Sequence, residues 1–153
     1  MPLMARMPTH ETWPEREMIA AIRRVTGTEP LTQVGSLPGT PDAVIPARRV
    51  ALFAMGCFWH EHGADCALSR VPETGFDWRA KFARNQERDR RVRAELFRLG
   101  YRVAWLWECA LRGGDALPYG ELDAELADFF SGTTMFAEIE GRRVRRRRVL
   151  RVV

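Results

Sequence analysis

The sequence predicts an α/β protein in which helices flank a small mixed sheet. Three observations carry this. Two short apolar stretches, Ala43-Val44-Ile45 and Arg49-Val50-Ala51-Leu52-Phe53-Ala54, have the β-branched character of buried strands. A third, from Arg102 to Trp107, follows a long helical pattern over residues 76–99. Helical patterns also precede the first strand and follow the last, giving the order helix, strands, helix, strand, helix.

The first helix opens at Thr12-Trp13-Pro14-Glu15, where Thr caps, Pro sits early and Glu completes a capping box. Met18, Ile19, Ile22 and Val25 share one face, and Gly27 stops the run. Leu37-Pro38-Gly39-Thr40-Pro41 is a turn that delivers Asp42 to the first strand. In the long helix, ended by Gly100, the inward stripe is Trp78, Phe82, Asn85, Asp89, Val92, Leu96 and Leu99. Asn85 and Asp89 interrupt it one turn apart, and buried polar groups need partners. A last amphipathic helix covers residues 122–130.

At 153 residues, 46% hydrophobic and 29% charged, the chain is expected to form one globular domain, 1–153, acting as a monomer. No apolar run approaches the ~18 residues of a membrane span, and no secretory signal layout is present. Three cysteines cannot close a disulfide framework within one chain, which favours metal binding in the cytoplasm. The net charge of +4 is unevenly placed. Arg142, Arg143, Arg145, Arg146, Arg147, Arg148 and Arg151 form a basic segment within 142–153, and removing them leaves 17 basic against 20 acidic residues. A basic ribbon on an acidic body suits a polyanion such as nucleic acid; a solvated tail fits the same composition.

Every cysteine and two of the three histidines belong to one constellation. It reads Gly56-Cys57-Phe58-Trp59-His60-Glu61-His62-Gly63-Ala64-Asp65-Cys66, answered by Trp107-Glu108-Cys109. Three thiols and an imidazole are what a tetrahedral structural zinc takes, so Cys57, His62, Cys66 and Cys109 are the candidate ligands. His60 is then left over, as a base of suitable pKa or as a ligand in place of His62. Asp42 is a candidate metal-binding carboxylate or a turn residue, and Asp89 a candidate partner for an imidazole. Glu15 is a candidate acid or the capping residue. Adjacent Phe58 and Trp59 in a polar loop imply that at least one is exposed, with core packing the alternative.

These residues resemble the very short patch repair endonucleases, which nick DNA beside thymine–guanine mismatches. The likeness runs over about residues 4–112. It includes Thr12-x-Pro14-Glu15, Leu37-Pro38-Gly39-x-Pro41-Asp42, Gly56-Cys57-Phe58-Trp59-His60-x-His62 and Trp78-x-x-Lys81-x-x-x-Asn85-x-x-Arg88-Asp89. Gly100-Tyr101-Arg102-Val103 and Trp107-Glu108-Cys109-Ala110-Leu111 complete it. The resemblance implies a restriction-endonuclease-like core and a structural zinc at Cys57, His62, Cys66 and Cys109. It further implies magnesium held by Asp42 and the backbone carbonyl of Ala54, with His60 activating water, supported by Asp89 and Glu15. Phe58, Trp59 and Trp78 would wedge into double-stranded DNA at a T·G mismatch, and Lys81 and Asn85 would join them in DNA binding.

The departures are specific. The family commonly has Thr or Val and then His where this chain has Ala54-Met55. His62 and Cys66 are two residues further apart than the usual His-x-Cys, and only Arg6 lends positive charge before residue 15. The sequence therefore predicts a magnesium-dependent nicking endonuclease for T·G mismatches. Its rivals are a related nuclease with another DNA target, serving restriction or defence, and a catalytically silent zinc-stapled DNA-binding module.

Overall fold

A computed structural model of the chain describes residues 12–145, so Arg6, Arg146, Arg147, Arg148 and Arg151 lie outside the described residues. Helix α1 (Trp13–Thr26) begins at the Thr12 cap, whose hydroxyl accepts the Glu15 N–H at 3.5 Å. It ends at Gly27, which takes the left-handed conformation (φ 69°) that glycine adopts without strain. Its stripe of Met18, Ile19 and Ile22 is fully buried with Leu122, Leu126 and Phe130 of α4 (Tyr119–Ser131). Each such side chain contributes about 1.5–3 kcal/mol by leaving water.

Among the described residues, five strands form one mixed sheet in sequence order: β1 (Leu31–Thr32), β2 (Ala43–Ile45), β3 (Val50–Met55), β4 (Arg102–Trp107) and β5 (Phe136–Ile139). The first three are antiparallel, whereas β3, β4 and β5 run parallel. Side chains alternate along β4. Ala104 and Leu106 join the core of α1 and α4, while Val103 and Trp105 join that of α2 (Trp78–Arg98). Helices thus cover both faces of the sheet. Because β2 and β3 are antiparallel, the residue entering β2 lies beside the end of β3, and Asp42 comes to Ala54.

The boundaries differ from the sequence expectation for local reasons. Helix α2 starts at Trp78 because the Asp77 carboxylate caps the Ala80 N–H. It stops before Leu99, where Gly100 (φ 85°) turns the chain and Tyr101 N–H donates to Leu96 O, and Leu99 is exposed instead of lying in the predicted stripe. Helix α4 starts at Tyr119, directly after Pro118. Strands β1 and β5 and the short α3 (Glu108–Leu111) were not expected. β1 has only two residues and β5 reads Phe-Ala-Glu-Ile, so neither shows a local period. Pairing with an available neighbour defines them both.

The turn before Asp42 is pressed against α2. Gly39 has φ 73°, and a Cβ there would lie 2.4 Å from Val92 Cγ1. Gly39→Ala should therefore lower stability by more than about 1 kcal/mol, from backbone strain and overlap together. Urea unfolding of the two proteins is the check, and an unchanged midpoint would show that the turn is not held by this contact.

Candidate active site and metal centre

The loop after β3 folds back on itself through His60 N to Gly56 O and His62 N to Cys57 O. This brings Cys57, His62 and Cys66 together with Cys109 of α3, their ligand atoms all within 4.8 Å of one another. His62 Nδ1 is 3.6 Å from Cys57 Sγ and 3.4 Å from Cys109 Sγ. In a tetrahedral site with bonds of ~2.3 Å to sulfur and ~2.0–2.1 Å to nitrogen, those atoms stand about 3.6 Å apart. The cluster could hold a metal ion, and all three cysteines are buried and unpaired by disulfides. The structure brings His62, not His60, to this cluster.

Trp107-Glu108-Cys109 serves that loop residue by residue. The Trp107 ring stacks on His62 at 3.9 Å and 7°. Glu108 Oε1 accepts the Cys57 N–H at 3.3 Å, and Cys109 supplies a thiol. Buried Ser69 adds a hydrogen bond from Oγ to Cys57 O at 2.9 Å. A cation entering the cluster would displace protons, because the environment holds His62 and Cys57 in their protonated forms while favouring the Cys109 thiolate. Cys109 is pulled down to about 5, first by the hydrogen bond from Cys57 and then by His62 and the Gly141 N–H. His62 is pushed up to about 10: burial opposes its charge, but hydrogen bonds with Cys109 and Glu140 outweigh it.

On the α2 side of the sheet, a cavity of about 220 Å³ is lined by Glu15, Asp42, Ala54, Met55, His60, Arg88 and Asp89, among others. The four predicted acid and base residues therefore share one space with Ala54. His60 Nδ1 is 2.6 Å from Asp89 Oδ2, which fixes the ring and assigns the Nδ1 proton to that contact. Nε2 is thereby left as the acceptor. Asp42 Oδ2 accepts the Ala54 N–H at 2.8 Å. Burial pushes the Asp42 carboxyl above the ordinary range, and the Ala54, Gln33 and His60 contacts offset this only in part.

Gln33 escaped the sequence reading. Its Nε2 lies 3.2 Å from both Glu15 Oε2 and Asp42 Oδ1, bridging the two acids from a residue with φ 48°. It stands in a stretch without periodicity or motif, so nothing local signals it. Met55, buried at the end of β3, also lines the cavity.

Beside the cavity, Phe58, Trp59, Trp78 and Phe82 form an edge-to-face and stacked cluster with centroids 5.0–6.2 Å apart. Phe82 is buried and Trp59 is 49% exposed, so the cluster runs from core to surface. Lys81 Nζ lies 4.9 Å from the Trp59 ring centroid. Asn85 donates to Trp59 O at 2.8 Å and Gln86 to Glu61 O at 3.3 Å. One face of α2 therefore braces the loop through Asn85 and Gln86 and the imidazole through Asp89.

The described arginines of the basic segment face the protein's own acids. Arg142 pairs with Glu121, Arg143 with Asp115 and Arg145 with Glu125. The part of the basic segment within the described residues is therefore paired with the protein's own acids, which neither the polyanion reading nor the solvated-tail reading anticipated. Among the described residues, no helix is long and apolar enough to cross a membrane.

Comparison with known proteins identifies the family. The profile of the family described as DNA mismatch endonuclease Vsr matches residues 2–68. The DNA mismatch endonuclease Vsr of Escherichia coli is 38% identical over 138 residues, covering 90% of this chain and 86% of that protein. The type II nicking enzyme V.XorIIP of Xanthomonas oryzae is 39% identical over 116 residues, 75% of this chain and 83% of the relative. V.NaeI of Lentzea aerocolonigenes, also a type II nicking enzyme, is 46% identical over 72 residues, 44% of this chain and 40% of its own length. These likenesses place the chain among endonucleases. It belongs to the DNA mismatch endonuclease Vsr family.

The geometry separates the two loop histidines in a way that elemental analysis can read. Cys109→Ser should abolish metal retention and destabilise the chain, since closed sites of this kind contribute on the order of 10 kcal/mol to small metal-dependent folds. His60→Ala should retain about one equivalent. Metal lost from His60→Ala and kept by His62→Ala would reverse the assignment.

Proposed function

We propose that the protein is a DNA-nicking endonuclease that acts at T·G mismatches. The observation that carries this reading is the single cavity shared by Asp42, the His60–Asp89 pair and Glu15, next to the partly exposed Phe58/Trp59/Trp78 cluster. In this reading the sheet and its helices are a restriction-endonuclease-like core forming one domain, monomeric and cytoplasmic. The Cys/His cluster takes zinc, because three thiols, one imidazole and no open position suit a closed structural site.

Magnesium suits the cavity. The partly buried Asp42 carboxylate is under-compensated, and a hard cation accepts carboxylate and carbonyl oxygens such as those of Asp42 and Ala54. When bound, magnesium supplies the positive charge that polarises the scissile phosphodiester and stabilises its extra negative charge. The protein's own work is the proton transfer. Asp89 holds the Nδ1–H of His60, so Nε2 takes the proton from an attacking water, and Asp89 stabilises the imidazolium that results. Glu15, tied to Asp42 through Gln33, sets the position of that carboxylate. Phe58, Trp59 and Trp78 enter the base stack, at a cost of a few kcal/mol that is least where a wobble pair already stacks poorly.

Nicking of matched and T·G duplexes with and without magnesium tests the reading. His60→Ala should slow nicking by roughly 10²–10⁴-fold, the scale of a general base. Trp59→Ala should reduce the preference for the T·G duplex more than overall affinity. Equal nicking of both duplexes by the parent protein would instead favour a different DNA target, and no nicking under any condition would favour a silent binding module.

Asp42 adds a test with a defined sign. Burial raises its folded-state pKa, so the stability tied to its proton is complete below the unfolded pKa and is lost as pH rises through the folded value. Asp42→Asn, neutral throughout, should gain stability relative to the parent as pH rises above the ordinary carboxylate range, while losing nicking. Thermal unfolding without added metal across that rise in pH is the measurement. A parent protein that gains on the variant as pH rises would show that Asp42 is not a strained carboxylate.

A further inference from the structure

We propose that the segment after β5 is a wall of the metal centre, with Glu140 as the positioning residue for His62, so that metal loading and docking of the arginine-bearing segment are a single event. This rests on the metal-centre reading above. His62 meets the thiols through Nδ1, and its Nε2 lies 2.7 Å from Glu140 Oε1. Both side chains are nearly sealed from water, at 1% and 5% exposure. A carboxylate on the far nitrogen of a ligating imidazole fixes ring and tautomer and raises its basicity. A buried glutamate is otherwise costly, which makes the pairing a built feature.

The next residue approaches the centre by its backbone. Gly141 N–H donates to Cys109 Sγ at 3.3 Å. A Cβ there would lie 2.7 Å from Cys109 O and 2.9 Å from Asp115 O, so no other residue fits without displacement. Val144, 5% exposed, then packs among the three cysteines and Trp107. Contacts at residues 140, 141 and 144 tie this segment to the ligand set, in the first part of the basic run. Surface ion pairs of Arg142 and Arg145 with α4 are too weak alone to hold that segment.

The test uses the full chain loaded with cobalt(II) in place of zinc, whose ligand-field absorption reports the site directly. Transfer to a chelator should be 10–100-fold easier for Glu140→Ala than for the parent, with Glu140→Gln between them, because its amide oxygen still accepts from Nε2–H. Trypsin should cut within residues 142–145 slowly in the loaded parent, and faster in the chelated parent and in loaded Glu140→Ala. Circular dichroism establishes that the variants are folded; if Glu140→Ala is not, the Glu140→Gln transfer rate and the parent's tryptic rates decide alone. Parent-like cobalt retention in folded variants, or tryptic rates indifferent to metal, would overturn the proposal while leaving the metal centre intact. A parent that binds no cobalt or zinc would overturn the metal-centre reading itself.

Discussion

Convergence of three thiols and one imidazole at the end of β3 is the constraint on which the rest of the structure depends. The loop from Gly56 to Cys66 has no helix or strand of its own before its last turn, and a polar loop of this length has little reason to hold one shape. Its shape is set by the cysteines it must bring together and by Cys109, more than forty residues downstream. A bound ion would convert a loop entropy cost into a fixed geometry. Everything displayed by that loop, including His60 and the two aromatics, inherits its position from the cluster.

Helix α2 then couples the loop to the sheet. Its residues at 82, 85, 86 and 89 lie within two turns, and each meets a different part of the loop or its aromatic cluster. The turn at Gly39 docks on the same helix three residues beyond Asp89, so the strand-borne Asp42 and the loop-borne His60 are referenced to one rigid element. The proposed catalytic geometry, assembled from a strand, a loop and a helix, needs such a common reference, because each piece alone could shift by more than the tolerance of proton transfer.

Much of this was legible in the residues. Strand β2, strand β4 and the Thr12 cap follow from short-range rules, and the cysteine spacing pointed to one cluster. What could not be read was whatever depends on a partner far away in sequence. Gln33 and Glu140 carry no local signature: each matters only because an acid or imidazole from another element comes to it. Strand β5 exists because β4 has an edge to pair, and Leu99 is outside because capping ended the helix one residue early. The basic run was read from charge alone, and charge gives no hint that three of its arginines face Glu121 and Glu125 of α4 and Asp115 just before it.

That facing has a consequence for electrolyte dependence. An arginine that trades a carboxylate for a phosphate releases the phosphate's condensed counterion but frees an anion on the protein, which attracts cations of its own. The net ion release per contact is then smaller than the value near 0.9 expected for an unengaged cation on duplex DNA. With Arg142, Arg143 and Arg145 already opposite Glu121, Asp115 and Glu125, the run of seven arginines should act on a polyanion with a valence well below its formal charge. Such partial neutralisation limits indiscriminate adhesion to a polyanion. In the proposed function, discrimination is then left to the aromatic cluster and the cavity beside it.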